Sequence, residues 1–195
     1  MTSPHPSVIR ICLVIRSCAL VFFMAGVVFM ADAGTAAQAQ VQVIFQESAP
    51  KDRFEIRNSG GCALGAMTFT LDLAGSSGGL IFDTSAEGPG VEVYQPFELL
   101  EGAGRVLQLP VVRDGGRSIE LAMSGLAPRE IVSFTIDVDD TLTSNPQGQT
   151  RVAGSEIMGA RAAIVLESDN AVLPPVTARF ESDAMAELPV SNCVS

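Results

Sequence analysis

The heptapeptide MTFTLDL, residues 67 to 73, puts Met67, Phe69, Leu71 and Leu73 on alternate positions with Thr68, Thr70 and Asp72 between them. Side chains alternate faces along a β-strand, whereas an amphipathic helix repeats its apolar residues every three to four positions, so this spelling fits a half-buried strand. The same period recurs in Arg53 to Arg57 (Phe54, Ile56), in Ile119, Leu121 and Met123, in Val132 to Val138 (Phe134, Ile136 and Val138 inward), and in Val176 to Glu181 (Val176, Ala178, Phe180). Val41 to Phe45, Leu80 to Phe82, Val91 to Tyr94, Val106 to Val112 and Ala160 to Glu167 are further strand candidates. Turn-forming clusters separate them: Asn58-Ser59-Gly60-Gly61, Gly75-Ser76-Ser77-Gly78-Gly79, Asp114-Gly115-Gly116, Ala127-Pro128 and Asn145-Pro146. Many short strands punctuated in this way predict an all-β fold, an antiparallel β-sandwich of immunoglobulin-like type. Phe97 to Gly102 is the best helical candidate, and the tail from Ala184 to Ser195 reads as a last short strand or an arm held by Cys193.

The first 39 residues read differently. Arg10 and Arg16 precede the apolar run SCALVFFMAGVVFMA, and small residues follow as far as Ala39, the three-part pattern of a secretory signal peptide. The apolar run falls short of the roughly 20 residues that a membrane-spanning helix needs. The expected organisation is a signal peptide over residues 1–39 and a single domain over 40–195, secreted or periplasmic, with no membrane span after cleavage. That domain carries 10 basic and 21 acidic residues. Such a charge balance disfavours nucleic acid and anionic membranes and favours cations. Its two cysteines, Cys62 and Cys193, predict a disulfide in an oxidising compartment. The one histidine, His5, lies in the signal segment, so the expected domain has no Ser-His-Asp triad, no Cys-His pair and no histidine-ligated zinc. Carboxylate chemistry remains.

Carboxylates concentrate in FTIDVDDTL, residues 134 to 142. The Asp137-x-Asp139-x-Thr141 spacing is similar to the nucleophile motif of haloacid-dehalogenase-type phosphatases, but that motif requires a parallel sheet with helical crossovers. The 54 residues after Thr141 carry little helical pattern from which to build them. On a strand, Asp137 and Asp139 share one face about 7 Å apart. With Asp140 and the loop to Asn145 they offer the oxygen-rich set that calcium takes, so Asp137, Asp139, Asp140 and Asn145 are the candidate ligands. Asp72 and Asp83, at the ends of their own strands, add ligands if those ends adjoin this loop. The alternative is a water-facing acidic strand end followed by a polar turn. A carboxylate-based hydrolase pairing Asp139 with Glu92 or Asp72 as acid and base is a further option. So is glycan or small-molecule binding through the glycine-rich and Tyr94 loops, although core packing is the plainer role for Tyr94 and Phe97.

The stretches NSGGCALGAMTFTLDLAGSSGGLIFD (58 to 83), GVEVYQPFEL (90 to 99) and FTIDVDDT (134 to 141) resemble small secreted bacterial proteins labelled aggregation factor core proteins, after the core protein of a sponge adhesion proteoglycan. The resemblance implies an extracellular, β-rich, calcium-assisted adhesive role. Its partners would be an extracellular protein, a polysaccharide or further copies of the chain. Unlike an adhesion molecule, the chain has no tandem repeats. The expectation is a non-enzymatic adhesion or interaction module, stabilised by calcium.

Overall fold

Alternation decides which residues form the layers, and pairing decides how the layers close. A computed structural model describes residues 39–91, 94–142, 151–168 and 171–190. The strands are β1 (Ala39–Gln46), β2 (Asp52–Asn58), β3 (Met67–Asp72), β4 (Ile81–Asp83), β5 (Glu98–Glu101), β6 (Val106–Gln108), β7 (Ser118–Met123), β8 (Ile131–Asp139), β9 (Arg161–Ser168), β10 (Ala171–Val172), β11 (Val176–Arg179) and β12 (Met185–Val190). One sheet runs β12-β1-β2-β8-β4, with β5 also on β8; the other runs β10-β9-β3-β7-β6, with β11 also on β9. All pairings are antiparallel. The protein is the expected antiparallel β-sandwich. Among the described residues no helix is long and apolar enough to cross a membrane.

The inward positions of the alternating runs form one core. Val41, Val43, Phe54, Ile56, Phe134 and Ile136 from the first sheet meet Phe69, Leu71, Leu121 and Ile164 from the second, all fully buried. At about 25 cal/mol per Å2 of apolar surface, each such side chain contributes roughly 1.5–3 kcal/mol. An aromatic row crosses the first sheet because register sets Phe45 opposite Phe54 and Phe54 opposite Phe134. Ring centroids lie 5.1 and 5.2 Å apart, and Phe97 stacks on Phe134 at 4.9 Å.

Several local expectations change. Phe97 to Gly102 is not helical: Glu98–Glu101 forms β5 on the edge of β8, opposite Ser133–Thr135. A segment that short cannot sustain an isolated helix, and an open strand edge supplies the hydrogen bonds it needs. Val91 and Tyr94 lie outside any strand, and residues 92–93 fall outside the described set. The run from Val106 stays in the sheet only as far as Gln108. The tail becomes β12, paired with β1 from Met185 to Val190.

Strand β8 is unusual in burying both faces. Val132, Phe134, Ile136 and Val138 enter the core, yet Ser133, Thr135, Asp137 and Asp139 on the other face are buried too. The cause is topological. Strands β4 and β5 lie end to end along the same edge of β8, so the chain leaving β4, residues 84–91, must bulge out. Gln95 rejoins the ladder between the two strands: its N–H donates to Asp83 O, and its carbonyl accepts from Asp137 N–H. The bulge before it folds as a strap across the acidic end of β8.

Candidate metal centre

Register builds the site. Asp83 is the last residue of β4 and pairs with Asp137, while Ile81 pairs with Asp139. Period-two alternation then projects Asp83, Asp137 and Asp139 from one face. One carboxylate oxygen from each lies within 4.8 Å of the others, and the residues are 0%, 4% and 1% exposed. A water-facing strand end is thereby excluded.

The strap closes this cluster. Val91 N–H donates to Asp139 Oδ2 at 2.7 Å. A Cβ on Gly90 would come within 2.3 Å of Asp83 Cγ, 2.4 Å of Asp83 Oδ2 and 2.8 Å of Asp139 Oδ2, so only glycine passes this close. Both oxygens of Asp83, Oδ2 of Asp137 and Oδ1 of Asp139 are buried without a hydrogen-bond partner. Ion pairs among the described residues go to Glu55, Glu98, Glu101 and Glu130, and none reaches these aspartates.

Buried carboxylates left in this state resist ionisation. Burial, with the Asp139 charge added, pushes Asp83 up to about 7. Burial together with Asp139 and Asp83 pushes Asp137 up to about 7. Asp139 is also raised by burial, against the opposing hydrogen bond from Val91. Asp52, where β2 runs beside Asp137, is pushed up to about 8, by burial first, although Ser48 N–H donates to it. Asp114 goes the other way. Burial works to raise it, but the N–H groups of Thr84 and Ser85 hold it below the ordinary value.

A cation bound among these oxygens would relieve the conflict. Calcium binds carboxylate oxygens at about 2.3–2.6 Å, and an all-oxygen set selects calcium, magnesium or manganese over softer metals. Three carboxylate oxygens within 4.8 Å of one another can each lie at that distance from one ion placed among them. The trio can hold a metal ion.

Of the residues singled out from sequence, Asp137 and Asp139 come together as expected, and Asp83 joins them across the β4–β8 ladder. Asp140 does not belong to the trio. It follows the strand end on the opposite alternation, and its Oδ1 accepts from Leu142 N–H in a local turn. Thr141 Oγ1 donates to Gly79 O instead of turning to the carboxylates. Asn145, with Thr143 and Ser144, lies outside the described residues, as does Glu92. Asp72 caps its own turn through Ala74 N–H, in the other sheet, and is remote from the chemistry expected of it. Tyr94 is 41% exposed and not a core residue, whereas Phe97 packs on Phe134. Sequence reasoning takes Gly88-Pro89-Gly90 for a loop beside Tyr94 and misses that it roofs the carboxylates.

Fold and site together define an all-β sandwich with a buried aspartate centre closed by a glycine strap. In comparisons with protein families, curated proteins and solved structures, nothing matches the chain.

Proposed function

We propose that this is a secreted, non-enzymatic adhesion or interaction module in which calcium, held by Asp83, Asp137 and Asp139, fixes the loop structure at one end of the sandwich. The observation that carries the reading is the trio itself: three buried carboxylates with four unpartnered oxygens and, among the described residues, no basic side chain paired to them. Uncompensated buried charge is strongly unfavourable, so such a group calls for a cation or for protons. The strap shuts the carboxylates off from solvent, which suits a structural ion better than an acid-base pair that must reach a substrate.

Exposed Leu107, Leu109 and Val111, on and just beyond edge strand β6, support an interaction role, as does the resemblance to aggregation factor core proteins. The proposed Cys62–Cys193 disulfide is compatible with the ladder. Val190 pairs with Ala39, and Ser59 N–H donates to Gln40 O, so Val190 and Ser59 lie at the same sheet corner. Cys193 itself lies outside the described residues.

Thermal unfolding in calcium, in magnesium and in chelator tests the metal. The expected result is a calcium-specific rise in Tm that Asp139→Ala abolishes; equal melting in all three conditions sinks the reading. Mass spectrometry of the secreted protein with and without reductant tests the disulfide, and a free thiol at Cys193 would contradict it.

A further inference from the structure

Asp114 sits in the connection from β6 to β7, in the other sheet, and approaches Asp83 from the side, outside the three carboxylates whose oxygens lie within 4.8 Å of one another. Its Oδ1 accepts from Thr84 N–H at 2.6 Å, Ser85 N–H at 2.9 Å and Thr84 Oγ1 at 3.3 Å, all from the chain immediately after Asp83. These bonds fix the carboxylate and leave Oδ2 buried without a partner. The Asp114 and Asp83 carboxylates come within hydrogen-bonding reach of each other, and Asp83 is itself fully buried with both oxygens unpartnered. Overhead, a Cβ on Gly88 would fall 1.1 Å from Asp114 Oδ2, and Pro89 lies against Gly115, whose own Cβ would be 2.5 Å from the proline ring. The strap therefore rests on Asp114 and Gly115 at Gly88-Pro89, and on Asp83 and Asp139 at Gly90. Below it, Gly115 N–H donates to Phe82 O and Phe82 N–H to Gly116 O, so the connection runs along the free edge of β4.

We propose that Asp114 is the fourth carboxylate ligand of the calcium site, and that the bound ion fastens the strap by tying β4 and β8 of one sheet to the β6–β7 connection of the other. This rests on the metal reading above. A fixed, buried oxygen that faces another unpartnered carboxylate has two ways to avoid repulsion, a shared cation or a shared proton. Asp83 belongs to the three carboxylates that converge and also faces Asp114, and a cation that takes six to eight oxygens can recruit a carboxylate beyond those three.

Titration calorimetry with CaCl2 on the purified protein, and on Asp114→Asn, Gly88→Ala and Asp72→Asn, tests the assignment. Asparagine retains the Oδ1 that accepts from Thr84 and Ser85, so the fold is preserved while the ligand charge is lost. Gly88→Ala reaches the same oxygen by displacement, without altering any carboxylate. Both are expected to weaken calcium binding about tenfold or more, with Asp72→Asn unchanged. Limited proteolysis with a glutamate-specific protease reads the strap directly at exposed Glu87. In wild type, calcium should slow cleavage there about tenfold; in Asp114→Asn it should not. Calcium binding that is undiminished in both strap-site variants, or cleavage at Glu87 that calcium does not slow in wild type, overturns the proposal and leaves the three-carboxylate site standing. Wild type that binds no calcium overturns both.

Discussion

Replacing Gly90 by alanine introduces one methyl group into the space between Asp83 and Asp139. The new carbon would meet Asp83 Cγ at 2.3 Å and the facing oxygens at 2.4 and 2.8 Å, closer than real Cβ contacts come. The carboxylates must swing away or the strap must lift, and either movement disturbs the arrangement of Asp83 and Asp139 that would hold a cation. Overpacking alone costs about 1–3 kcal/mol, and less here if the mutually repelling carboxylates splay readily. The larger effect falls on the ion. Calcium present at about 100 times its dissociation constant contributes about 2.7 kcal/mol to stability. A domain of this size gains roughly 2–4 °C per kcal/mol, which makes the wild-type calcium shift about 5–10 °C. Differential scanning fluorimetry of wild type, Gly90→Ala and Gly104→Ala, each in calcium and in chelator, separates the terms. Gly104 has nothing within 4 Å of its Cβ and serves as the control. The expected outcome is a full shift in wild type and Gly104→Ala and none in Gly90→Ala. A full shift in Gly90→Ala would refute the idea that the ion sits beneath the strap.

Protons and calcium compete for the same oxygens. Because Asp83 and Asp137 are raised to about 7 in the ion-free protein, apparent calcium affinity should fall as pH drops below about 7, as read by calorimetry from pH 8 to 5.5. Without calcium the sign reverses. A folded-state carboxyl raised above its unfolded value keeps its stabilising proton at low pH and loses it as pH rises, so ion-free Tm should decline between about pH 4 and 8. Asp52 belongs to that same window, being pushed up to about 8. Asp52→Asn keeps the acceptor for Ser48 N–H and removes the charge facing Asp137, so it should raise ion-free stability at pH 8 by an amount on the order of a few kcal/mol, with little effect at pH 4. Phe54 is fully buried between Phe45 and Phe134, and Phe54→Ala should cost about 3–5 kcal/mol in denaturant unfolding, with or without calcium. A calcium-dependent cost would mean that the aromatic row and the metal centre are coupled.

Strand identity and the inward faces were legible because they are local. Met67, Phe69 and Leu71, or Phe134, Ile136 and Val138, need only the period of a pleated backbone to point the same way, and the same rule put Asp137 and Asp139 side by side. The exceptions are also local in origin. Phe97 to Gly102 looked helical because six residues carry too little pattern to decide, and the open edge of β8 decided it.

The centre itself belongs to the tertiary structure. Asp83 is far from Asp137 and Asp139 in the chain, and their meeting depends on β4 pairing along the edge of β8. From sequence alone, the outer face of β8 reads as exposed, since alternation distinguishes two faces but does not say what covers the second. The strap over 84–91 covers it, so the acids that alternation left facing outward are buried carboxylates. Sequence determined that this chain forms strands, which residues enter the core and that two aspartates share a face. Only the long-range pairing decided that those aspartates are buried, which others join them, and why glycine must stand above them.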